Sequence, residues 1–193
     1  MNILGIDPDF HSTAYACLED GLPTVLGTVK APKKLTGLRA VTHMVSALAE
    51  IDNMPMLDMI IVEIPRVYPK TKVQPNDLVG LAVVAGAAAA AWVGEQGPQC
   101  LLRLVHPQEW KGTQPKDVHH RRICTKLGWR FTTSGKNIWP HMSARDKGQI
   151  DCNFATSEWY HVLDAIGMAM WGAKKDRLKS RVRDAARRYV QTD

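Results

Sequence analysis

The sequence predicts an α/β fold, a mixed five-stranded sheet with helices on both faces. Three observations carry that prediction. Short apolar runs end in an acid at Asn2–Asp7 and again at Met59–Glu63. Residues 1–30 alternate like three short strands before any helical pattern begins. After that, stretches of helical length alternate with apolar runs of strand length. Such an order places helices on both sides of one sheet.

Asn2 to Asp7 reads as a buried central strand ending in Asp-Pro. Ser12 to Leu18 and Thr24 to Lys30, with a turn at Gly21-Leu22-Pro23, complete an up-down meander. Thr36 to Ile51 sets Leu38, Val41, Val45, Leu48 and Ala49 at helical spacing. Met59 to Ile64 is a nearly continuous apolar strand, the kind covered on both faces. Asn76-Asp77 can cap a helix to about Trp92, in which Gly80 and Gly86 cost stability but admit a close neighbour. Cys100 to Val105 is the fifth strand. Pro115 suits the first turn of a helix towards Lys126, with Gly128 as its stop. Arg130 to Ser157 is polar and reads as a long loop, a class usually functional or mobile. Thr156 or Ser157 can cap a last core helix, about Glu158 to Ala173.

The 193 residues suffice for one domain with a proper core, and 45% hydrophobic content argues against disorder. A net charge of +6 and a pI of about 9.2 favour an anionic partner, nucleic acid before a membrane surface. Eight basic and two acidic residues lie between Lys174 and Arg188, a surplus equal to that whole net charge, and suit a helix or tail on phosphates. Leu78 to Val93 is uncharged but too short for a membrane span, which needs roughly 20 apolar residues. The cysteines, Cys17, Cys100, Cys124 and Cys152, form no Cys-x-x-Cys pair, and no secretory leader is visible. The expectation is a reducing intracellular compartment, the cytoplasm.

Four residues form a candidate catalytic and metal-binding set. Asp7 and Glu63 close two strands, and His161 and Asp164 stand three apart on one helix face. Buried carboxylates need charge compensation, and a hard divalent cation, magnesium or manganese, supplies it. Two such ions roughly 4 Å apart can drive in-line phosphodiester hydrolysis without a covalent nucleophile. His161 serves either as a ligand or in proton transfer. Both need neutral imidazole, so activity is expected to fall below about pH 6. Taken singly, each residue has a bland reading: a strand-ending turn at Asp7-Pro8, a salt bridge from Glu63 to Arg66 or Arg39, a half-buried His161. Lys111 and Lys116 follow the fifth strand, where open α/β sheets bind ligands, and are candidate phosphate contacts. His119, His120, Arg121 and Arg122 cannot all face one way, so about half should touch only solvent.

These blocks resemble the RuvC-like Holliday junction resolvases of the ribonuclease H-like superfamily. Ile3-Leu4-Gly5-Ile6-Asp7-Pro8-Asp9 is similar to that family's first strand and first catalytic aspartate, and Ile60-Ile61-Val62-Glu63 to its fourth-strand glutamate. Leu78 to Ala87 resembles its small-residue helix, and His161-Val162-Leu163-Asp164-Ala165-Ile166-Gly167 its final helix. The resemblance implies a ribonuclease H-like nuclease domain over 1–175, with a basic C-terminal helix or tail at 176–193. It also implies a homodimer using Mg2+ (or Mn2+) to nick four-way DNA junctions symmetrically. Asp9 stands where the family often has glycine. Ile64 to Lys70 replaces a Phe-rich segment, making Arg66, Tyr68 and Lys70 candidate DNA contacts, with Tyr68 able to stack on an opened base. The pattern resembles a phage-type or divergent member. Broader branched or flap DNA specificity and a non-catalytic junction-binding scaffold are the alternatives. Sugar kinases and actin-like ATPases would need two lobes and phosphate-binding glycines. A zinc module using His119 or His120, Cys124, Cys152 and His161 matches no standard spacing, and no Gly-x-Ser-x-Gly marks a serine hydrolase.

Overall fold

Asp20 and Gly21, at φ 50° and 89°, form the tight turn that returns Ser12–Glu19 (β2) onto Leu22–Lys30 (β3). An Asp-Gly pair accepts positive φ at both positions and matches the twist of the flanking strands. The turn therefore sits one residue earlier than the Gly-Leu-Pro reading. The structure, a computed structural model, describes every residue except 10, 66–74, 97–98, 136, 144–145, 147–148 and 191–193. Residues 75–77, 95 and 177–190 are described by their backbone alone.

The remaining elements are β1 (Asn2–Asp7), α1 (Gly37–Ala49), β4 (Met59–Glu63), α2 (Pro75–Gln96), β5 (Leu101–Val105), α3 (Pro107–Trp110), α4 (Lys116–Lys126), β6 (Arg130–Ser134), β7 (Asn137–His141), β8 (Asp151–Asn153) and α5 (Trp159–Val190). The main sheet runs β5-β4-β1-β2-β3-β8. β1 pairs antiparallel with β2 and parallel with β4, and β4 pairs parallel with β5. The mixed α/β architecture is the predicted one, with a sixth strand added. β8 pairs parallel with β3, and its three side chains are all exposed, so no apolar pattern announces it.

The presumed loop from Arg130 to Ser157 also holds a hairpin, β6-β7. Ile138, 1% exposed, joins the core, and Phe131 and Trp139 pack beside it. Thr132, Thr133, Ser134 and Asn137 are exposed on the hairpin and mask its strand period.

Side chains on β1 alternate between two cores. Leu4 and Ile6 pack with Ile60 and Val62 of β4 in the layer that holds Met44, Leu48, Ala85 and Ala88 of α1 and α2. Ile3 packs with Met59 and Ile61 under Val162, Ala165, Ile166 and Ala169 of α5. Gly5 is required at this crossing, because a Cβ there would collide with the Ala165 carbonyl. Gly86 faces open space instead, so the close approach expected at α2 does not occur at that glycine.

Candidate active site

The same alternation aims the site. Asp7 continues the Ile3–Gly5 face of β1, and Glu63 continues the Met59–Ile61 face of β4; Gly5 is paired with Ile61. Both acids therefore point to the α5 side, at the same end of adjacent parallel strands, whose spacing is about 4.8 Å. α5 crosses above them and brings His161 and Asp164. His161 Nδ1 lies 3.0 Å from Asp7 Oδ2, in position to donate to it. β1, β4 and α5 thus bring the four candidate residues to one end of the sheet, where His161 and Asp7 are in contact and Asp7, Glu63 and Asp164 act on one another through charge.

Their electrostatic states differ. Burial pushes the Asp7 carboxyl up, the hydrogen bond from His161 counters part of this, and the charge of Asp164 adds to it. Burial also pushes Glu63 up, to about 7, and the charge of Asp7 reinforces the shift. Lys111, at 4.0 Å, and the Trp110 indole offset only part of it. That indole Nε1–H donates to Glu63 Oε2 at 2.8 Å. Glu63 is paired with these two groups, not with Arg39; Arg66 lies outside the described residues, as do the other two proposed contacts on that segment, Tyr68 and Lys70.

Asp164 is the opposite case. Burial alone would raise it, but the hydrogen bond from His120 and the charge of Lys116 outweigh burial and hold it at about 2. His120 Nε2 is 2.8 Å from Oδ1, and Lys116 Nζ is 2.5 Å from Oδ2. His120 is itself 1% exposed. The α4 register explains this: His120 turns into the core, His119 is half-buried, and the side chains of Arg121 and Arg122 are exposed.

Three residues of this site escaped the sequence reading. Trp110 is presented by the short α3, where the His106 N–H donates to Glu109 at 3.0 Å. His120 stood among four polar neighbours, with nothing in the string to show which one was buried. Tyr160 stacks on His161, with ring centroids 3.8 Å apart, and lies under Lys116 Nζ.

Glu158 supplies a contrast: its side chain is 10% exposed, against 13% for Asp7 and 19% for Glu63. Burial opposes its ionisation, but Lys30, Thr28 and the Ala155 N–H satisfy it and hold its pKa below the usual value. Among the described residues, Asp7 and Glu63 have no lysine or arginine as close as Lys30 is to Glu158. Among the described residues, no three His, Cys, Asp or Glu side chains stand close enough to form a ready-made metal cage. The zinc set is likewise not assembled: Cys124 is packed in the core, while Cys152 is exposed on β8. The donor chemistry of Asp7, Glu63, Asp164 and His161 nevertheless fits a hard divalent cation. Two under-compensated carboxylates and a third held by Lys116 are the oxygen donors such an ion takes.

Two solved structures share this arrangement of strands and helices over nearly the whole chain. T. thermophilus RuvC in complex with Holliday junction substrate aligns over 92% of this chain and 96% of its own, at 15% identity and a TM-score of 0.64. A second Thermus thermophilus RuvC structure aligns over 93% and 97%, at 16% identity and a TM-score of 0.60. The chain has the RuvC fold. No family model and no curated protein matches its sequence. In this RuvC fold, which is ribonuclease H-like, Asp7, Glu63, His161 and Asp164 lie at one end of the central strands, with Lys111 and Lys116 on their rim.

Proposed function

We propose that this protein is a divalent-metal-dependent DNA endonuclease that resolves four-way junctions by paired nicking. The observation that carries the reading is the pair of adjacent strand-end carboxylates, Asp7 and Glu63. Both are pushed towards protonation and stand beside a helix that offers Asp164 and His161. A structural role would favour neutralised acids, as at Glu158; acids left short of positive charge suit a cation. Asp7, Glu63 and Asp164 would hold Mg2+ or Mn2+, which when bound lowers the pKa of water and stabilises charge on the leaving oxygen. His161 orients the Asp7 carboxylate or relays a proton beside it. Lys111 and Lys116 hold the phosphate by charge.

The proposed homodimer has a candidate surface. Val79 and Val83 of α2 are 64% and 49% exposed, and Leu38 of α1 is 76% exposed. A two-fold pairing through these exposed apolar side chains would match the symmetry of a four-way junction.

One observation favours a second reading, a junction-binding scaffold. Asp164 is already neutralised by Lys116 and His120. Cleavage of a labelled immobile four-way junction and its linear duplex in Mg2+ or Mn2+, beside Asp7→Asn, separates the readings. Paired nicks near the branch point that vanish in the variant support the resolvase. Equal cutting of duplex keeps a nuclease of broader specificity, and tight junction binding without cutting in either metal leaves the scaffold.

A further inference from the structure

The C-terminal half of α4 and the middle of α5 enclose a cavity of about 280 Å³ whose wall holds Lys111, Arg122, Lys126 and Lys174 and no carboxylate. The helical period builds it. His119, Arg122 and Lys126 share one face of α4, and Gly167, Met170, Trp171 and Lys174 share the facing stripe of α5. Gly167 lets the helices close up, since a Cβ there would sit 2.7 Å from His119 Nε2 and 2.8 Å from the Trp110 ring. That His119 Nε2 is buried and has no hydrogen-bond partner. Arg121, the other arginine of this stretch, is drawn off to Asp117 at 3.7 Å. Arg122, Lys126 and Lys174 are exposed and have no acidic partner among the described residues.

Four like charges around one cavity repel each other, and an anion relieves that repulsion. The cavity is not remote from the candidate active site, because Trp110 and Lys111 belong to both and both reach Glu63. Beyond Lys174 the helix continues to Val190 through a strongly basic sequence.

We infer that this cavity seats backbone phosphates of the DNA strand that leaves the candidate active site, and that Arg122, Lys126 and Lys174 are the contacts. The inference rests on the nuclease reading for its ligand. A strand passing Glu63 and Lys111 carries further phosphates at roughly 3.4 Å of axial rise per nucleotide, so successive phosphates fall along this wall. The contacts are to the backbone, and they set the path of the strand without reading its sequence.

The test is binding of a fluorescent four-way junction by the full chain in EDTA, across a salt series. It compares wild type with Arg122→Ala/Lys126→Ala/Lys174→Ala and with a control, Lys33→Ala/Lys34→Ala/Arg39→Ala, which removes the same charge from exposed positions elsewhere. Thermal melts verify that both variants fold. Each phosphate contact contributes about 0.9 to the slope of log K against log salt. The cavity variant should therefore have a slope shallower by about 2 to 3, with at least about tenfold weaker binding at low salt, and the control a change below about 1. An unchanged slope in the cavity variant, or an equal loss in the control, overturns the cavity assignment while leaving DNA as the ligand. A wild-type protein that binds no junction overturns the nuclease reading and this inference together.

Discussion

Glu63→Gln should stabilise the metal-free protein, and Asp164→Asn should destabilise it, although both remove one negative charge from the same site. Glu63 has its pKa raised from 4.5 to about 7. The folded state therefore prefers the protonated form. The stability this contributes is full below about 4.5 and is lost as pH rises through 7. A shift of that size corresponds to roughly 3 kcal/mol at pH 8. Glutamine keeps an oxygen for the Trp110 N–H and removes the charge, but it gives up the attraction to Lys111 at 4.0 Å. The net gain is about 2 kcal/mol, or roughly 4–8 °C in Tm for a chain of this size.

Asp164, whose side chain is 4% exposed, has its pKa lowered from 3.8 to about 2. Its contribution is present above 3.8 and is lost as pH falls through 2, so at pH 8 the aspartate stabilises by roughly 2 kcal/mol. Asparagine loses that and leaves Lys116 without its counter-charge. Calorimetric melts in EDTA at pH 5 and pH 8 check both signs. The Glu63→Gln advantage should shrink at pH 5, where wild-type Glu63 is already largely protonated. Added Mn2+ should raise the wild-type Tm more than that of Glu63→Gln. A Glu63→Gln protein melting at or below wild type at pH 8 without metal would refute the account of Glu63 as a carboxylate short of positive charge.

Gly5→Ala should lower stability by about 1–3 kcal/mol, because the Ala165 carbonyl it meets is backbone and cannot rotate away. The same shift of α5 moves His161 and Asp164, so junction cleavage should drop on the order of a hundredfold; a variant with wild-type Tm and rate would contradict the close crossing. His120→Ala should cost about 2–4 kcal/mol, since it leaves a buried Asp164 oxygen unpaired, while His120→Gln, which restores a donor, should recover part of the Tm. Equal melting of the two variants would mean that the hydrogen bond to Asp164 contributes little. Trp110→Phe keeps the ring but removes the N–H that reaches Glu63. It should raise the apparent pKa of Glu63, read by NMR titration of the labelled carboxyl carbon, and an unchanged value would remove the indole from the balance.

Much of the site can be read from the string because it obeys local periods. Asp7 and Glu63 end apolar strands, so the two-residue period fixes the face each acid takes once the strand is recognised. His161 and Asp164 follow from helical spacing in the same way. The six-stranded sheet was less accessible. β8 is three residues long and exposed on every one, and β6-β7 hides its strand period behind a polar outer face, so composition argued for a loop in both cases. Other element ends shifted by small amounts, and α5 runs as helix to Val190 instead of stopping near Ala173.

The sequence by itself determined the order of β1 to β5 and of the long helices, the basic end of the chain, and which acids stand at strand ends, because each depends on residues a few positions apart. Only the tertiary structure decided which of those acids are neutralised. Asp164 and Glu158 acquire cations and donors from segments 44 and 130 residues away, while Asp7 and Glu63 face each other across neighbouring strands with too little positive charge between them. Coulomb energy depends on distance in space and on burial, and neither is written in the spacing of residues along the chain.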